Sequence, residues 1–158
     1  MIELPQNAAH WHLVLNHLPV VGSMAAMLLL LWALFKNTDD LKRVALMSLV
    51  LVGLVSIPAF LTGEPAEDML KGLPTSAKWM SKHEDIAGTA LWVALAAGAG
   101  ALGTLLFFRK QRMIPRWLVG VLLVANLAAC LLMNRAANSG GKIRHSEILA
   151  VPVAETEH

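Results

Sequence analysis

Four apolar runs of near-spanning length dominate the chain: residues 13–35, 44–61, 86–108 and 117–133. Each is about the length that crosses a hydrocarbon core of ~30 Å as a helix. None alternates as a barrel strand would, and backbone polar groups in lipid must be satisfied within the segment, so all four are expected to be α-helices. The sequence therefore predicts an all-α, four-transmembrane-helix bundle. It forms one membrane domain over residues 1–158, with a loop at 62–85 and a C-terminal tail at 134–158. Composition agrees: 56% hydrophobic and 15% charged residues is too apolar for a water-soluble core of this size.

Basic residues set the orientation. Lys36, Lys42 and Arg43 lie between the first two runs, and Arg109, Lys110, Arg112 and Arg116 between the last two. These two short connections hold seven of the thirteen Lys and Arg residues, so they are expected on the cytoplasmic side. Both termini and the 62–85 loop then face the periplasm of a bacterial inner membrane. The stretch before the first run lacks Lys and Arg and carries Glu3, unlike a cleavable signal peptide. The basic residues are accounted for by topology, and nothing points to nucleic-acid binding. The single cysteine, Cys130, lies within an apolar run and reads as packing.

Within this frame the histidines stand out. His17 sits inside an apolar run and His83 directly precedes one, and an imidazole at membrane depth is a functional-site hypothesis by default. The two are expected to face each other, as axial ligands of a haem iron or as two nitrogens of a smaller metal site. His12 and His17 are five residues apart, about 140° on a continuous helix, so they cannot both reach one centre unless the helix starts after His12. Pro19 and Pro58 are expected to bend their helices near the outer end. Small residues on the third run, including Ala87, Ala90, Ala94, Ala97, Gly98 and Ala101, allow close helix packing or leave room for a flat cofactor. Glu64, Glu67, Asp68, Glu84 and Asp85 are available to orient imidazoles. A short surface helix is expected at 66–70, a turn at Gly140–Gly141, and an extended arm beyond it.

Together these residues resemble a bacterial family of four-helix inner-membrane domains of unknown function. Its members open with a His-Pro-x-x-x-His-Phe-Pro stretch and carry a glycine after the second helix, a histidine at the start of the third, and a Gly-Gly followed by histidine after the fourth. The matching positions are His12, His17 and Pro19, then Gly63, His83, Gly140, Gly141 and His145. Leu13 and Leu18 stand where the family has Pro and Phe. The resemblance singles out His12, His17, His83 and His145, passes over His10 and His158, and implies a layout similar to small membrane b-type cytochromes.

The leading expectation is a membrane electron-transfer protein, or a subunit of one, more an electron carrier than a stand-alone enzyme. It would bind b-type haem through His17 and His83. His12 and His145 would form a second pair or hydrogen-bond partners, and Arg135, Lys142 and Arg144 would neutralise propionates. Its partners would be the lipid bilayer and a redox protein or larger membrane complex. The alternatives are a copper or zinc site built from the same histidines, with Met24, Met69 and Met80 favouring copper(I), or a structural subunit of a membrane complex.

Overall fold

The structure is a computed structural model, describing residues 5–69, 77–109 and 113–144. Six helices follow in order: α1 (Ala8–Leu15), α2 (His17–Lys36), α3 (Asp39–Leu61), α4 (Gly63–Asp68), α5 (Ala77–Phe107) and α6 (Arg116–Arg144). No strand occurs among the described residues. The spans Ala8–Lys36, Asp39–Asp68, Lys78–Phe107 and Arg116–Ile143 are each long and apolar enough to cross a membrane.

The four long helices form a ring. α2 packs on α3, α3 on α5 and α5 on α6, and α6 closes back on α2. Alanines line the helix contacts beside Leu30, Leu46 and Leu49, while many large apolar side chains face outward. Ala26, Ala33, Ala45, Ala90, Ala94, Ala101 and Ala129 are buried, while Phe35, Trp92 and Trp117 stand exposed on the outer wall. Large apolar side chains gain nothing by leaving lipid, whereas small ones let helix backbones approach, so this is a fold for a bilayer. Polar groups inside are satisfied locally. Asn126 is buried and donates its Nδ2–H to the carbonyl of Ser23 across the α2–α6 contact at 3.0 Å.

The alanine and glycine stripe of α5 is filled by α3. A Cβ on Gly98 would stand 3.2 Å from the Leu49 oxygen, and one on Gly53 3.2 Å from the Ala94 oxygen. Of the two readings open for this stripe, close packing is the one seen, and it leaves no slot for a cofactor at that level.

The basic-loop end is pinned by charge. Asn37, in left-handed geometry, closes α2 and hands the chain to α3 within two residues. Lys42 is buried; it donates to the Ile114 oxygen at 2.8 Å and pairs with Asp39 at 3.4 Å. Arg43 donates to the Phe108 oxygen and Arg116 to the Leu34 oxygen, each at 2.8 Å. Helix C-termini leave carbonyls without partners, and Arg43 and Arg116 supply donors there, while Lys42 satisfies a carbonyl of the connection before α6. Their position thus has a local structural reason beside the topological one.

At the opposite end the helices run further than the apolar runs. α5 has 31 residues and α6 29, lengths of about 44–46 Å against a hydrocarbon core of ~30 Å. Both project beyond that core. The turn expected at Gly140–Gly141 is therefore helix, and His83 lies within α5 rather than in a loop ahead of it. The surface helix expected at 66–70 is α4, which begins earlier, at Gly63, and buries Ala66. The expected extended arm lies outside the described residues.

Candidate functional site

Two imidazoles meet at the end where α5 and α6 overrun the membrane core. The rings of His12 and His83 lie 6.3 Å apart, centre to centre, with planes at 88°. Four helices deliver them: α1 carries His12 against the end of α3, and α5 carries His83 against α6.

The first span runs from Ala8 to Lys36 with one turn residue, Asn16, whose backbone stays right-handed helical. The first helix ends at Leu15, Asn16 intervenes, and α2 restarts at His17. Pro19 falls in the first turn of α2, where an amide N–H would have no intrahelical partner, so the proline costs that helix little. His12 is half-buried on α1, and the five residues between it and His17 set the two about 140° apart around the helix axis. His17 stands at the start of α2 and is exposed. The ring beside His83 is accordingly that of His12, not that of His17 as the depth argument expected.

Each ring is fixed through Nδ1. In His12 this nitrogen lies 3.1 Å from the Ala59 oxygen and 3.2 Å from Thr62 Oγ1. In His83 it lies 2.8 Å from the Ala136 oxygen and 3.4 Å from Ser139 Oγ. A carbonyl oxygen only accepts, so Nδ1 must carry the proton and donate. The Nε2 lone pair of each neutral ring is then free, which is the tautomer that metal-ligating histidines adopt when a carbonyl orients them. Ala59 lies in the last turn of α3, where carbonyls lack helical partners, so His12 also caps that helix. Carbonyls hold both rings; Glu64, Asp68, Glu84 and Asp85, expected as orienting acids, are exposed.

A glycine backs each ring. A Cβ on Gly140 would stand 3.2 Å from both Cε1 and Nδ1 of His83, and one on Gly63 3.6 Å from Cε1 of His12. Asn16, one turn beyond His12 on the same helical face, buries its Oδ1 without a hydrogen-bond partner among the described residues. A buried acceptor left without any partner costs about 1–3 kcal/mol, so this oxygen favours a water or ligand donor beside it.

The remaining expected residues lie elsewhere. Arg135 is exposed on α6 and lines a groove between α5 and α6 together with Lys142. His10 is exposed, with its backbone N–H donated to the Asn7 cap. Met24 and Met69 are exposed, so neither is enclosed as a thioether ligand. His145, His158 and the side chain of Arg144 lie outside the described residues. No group of three or more His, Cys, Asp or Glu side chains gathers to hold a metal among the described residues.

The donor set suits a centre with two nitrogen ligands. His12 and His83 are the imidazoles that would hold a metal or haem iron here, which would supply redox chemistry when bound. No protein-family pattern, characterised protein or solved structure matches the chain.

Proposed function

We propose that the chain is a membrane electron-transfer protein, alone or as a subunit of a larger membrane complex, that holds b-type haem between His12 and His83. The observation that carries this reading is the pair itself: two rings 6.3 Å apart, each with Nδ1 held by a carbonyl and a glycine behind it. The iron would supply one-electron exchange when bound. The protein's part is to hold both Nε2 atoms in place. Ala59 and Thr62 orient His12, Ala136 and Ser139 orient His83, and Gly63 and Gly140 leave the rings room.

The residues behind the family resemblance support the same site, since His12, Gly63, His83 and Gly140 all belong to it. In the bacterial inner membrane, the seven basic residues of the two short connections would face the cytoplasm and the imidazole pair the periplasm. A redox partner would then meet the protein on its periplasmic side.

A second reading has a specific observation in its favour. Imidazole also serves copper, and two nitrogens with no third ligand gathered among the described residues suit low-coordinate copper(I) better than tetrahedral zinc. Visible absorption and metal analysis of one sample separate the two. Protein purified from cells supplied with ample haem should show a low-spin haem spectrum with one haem per chain. A colourless protein carrying one copper would select the second reading. A colourless, metal-free protein would leave both rings as hydrogen-bonding links between helices.

A further inference from the structure

The histidine end is acidic in sequence: of eleven Asp and Glu residues, all but Asp39 and Asp40 lie in segments 1–17, 62–85 and 134–158. Yet the groove between α5 and α6 at this end, of about 480 Å³, is lined by Lys82, Arg135 and Lys142 and by no acid. None of the three cations forms an ion pair among the described residues. Lys82 and Lys142 instead hold their ammonium groups 5.0 and 4.4 Å from the centre of the Trp79 ring. Below them, Ile86 and Leu131 supply apolar lining, and Leu131 is exposed on the outer wall of α6.

We infer that this groove is a binding site for an anionic phospholipid, with the phosphodiester held by Lys82, Arg135 and Lys142 and an acyl chain running over Ile86 and Leu131. Three cations that form no ion pair among the described residues share this groove, and together they favour an anion there. A phosphodiester accepts hydrogen bonds from a guanidinium fork and from ammonium groups at once. Trp79 marks the level, since indole rings concentrate where headgroups meet hydrocarbon. The apolar lining continues onto the lipid-facing wall, which suits an amphiphile and not a free ion. Basic pockets between transmembrane helices bind lipid headgroups on the same principle. The groove adjoins the imidazole site, since Ser139 lines it and lies 3.4 Å from Nδ1 of His83, but the three cations that would hold the phosphodiester are not the proposed haem ligands.

The test uses the full-length protein in neutral detergent, titrated with short-chain phosphatidylglycerol, short-chain phosphatidylcholine and inorganic phosphate in parallel. Tight binding is expected for phosphatidylglycerol alone. Lys82→Gln, Arg135→Gln and Lys142→Gln should each weaken it about fivefold, and the triple variant about a hundredfold. Lys78→Gln removes a charge from the same helix outside the groove and should leave affinity within twofold. Circular dichroism of each variant in the same detergent identifies a loss that comes from misfolding, and Arg135→Lys, which keeps the charge, should retain most of the affinity. Equal affinity for phosphatidylcholine, an unchanged triple variant, or inorganic phosphate binding as tightly as the lipid would each overturn the inference.

Discussion

Replacing Gly140 by alanine separates two forces that usually act together. In the interior of a helix, Gly→Ala is favourable by up to about 1 kcal/mol, because glycine has more backbone freedom to lose. Gly141 tests that term alone, since a Cβ there meets nothing within 4 Å. At Gly140 the new Cβ stands 3.2 Å from Cε1 and Nδ1 of the His83 ring, closer than ordinary contact. The ring must retreat by a few tenths of an ångström or the helix must shift. Retreat stretches the 2.8 Å hydrogen bond from Nδ1 to the Ala136 oxygen, a bond worth about 0.5–1.5 kcal/mol. Crowding in a packed interior adds about 1–3 kcal/mol where relief is incomplete. Gly141→Ala should therefore stabilise by about 0.5 kcal/mol or slightly more, while Gly140→Ala destabilises by about 1 kcal/mol. Reversible unfolding in mixed micelles, followed by far-ultraviolet circular dichroism, measures both. Equal stabilisation by the two substitutions would show that His83 does not lie against Gly140.

Three further outcomes follow from the packing. Lys42→Met keeps the aliphatic stem but removes the donor to the Ile114 oxygen, and it should cost about 1.5–3 kcal/mol in the same unfolding measurement. Gly98→Ala drives a Cβ to 3.2 Å from the Leu49 oxygen, an atom of backbone that cannot swing aside, and should destabilise by about 1–3 kcal/mol; Gly103→Ala, with nothing within 4 Å, should not. A reporter that works only outside the cytoplasm should be active when fused after residue 158, and activity of its cytoplasmic counterpart there would reverse the orientation read from the basic connections.

The architecture was legible because it rests on the length and apolarity of four segments, properties that do not depend on distant contacts. Helix ends were not, since they depend on tertiary partners. Gly140 and Gly141 look like a turn in isolation, but the ring of His83 occupies the space a side chain would take at Gly140. The imidazole pair was half legible. His83 stands out by its place before an apolar run, and the motif resemblance includes His12, but depth favours His17 because it lies within an apolar run, and depth says nothing of which way a ring faces. Asn16 keeps helical backbone, so the five-residue spacing alone sets His12 and His17 about 140° apart, and only His12 faces His83. The groups that hold the rings, the oxygens of Ala59 and Ala136, are backbone atoms and leave no trace in side-chain identity. Gly63 and Gly140 were their one sequence-level signal, a glycine near each histidine in space though far from it along the chain.

The central claim is that His12 and His83, and no other pair, ligate the haem. Low-spin haem absorption of purified His12→Ala, His83→Ala and His17→Ala, each expressed with ample haem and compared at equal protein concentration, tests it most directly. Loss of the low-spin spectrum in the first two variants with full retention in His17→Ala is the predicted result. Retention in His12→Ala together with loss in His17→Ala would contradict it.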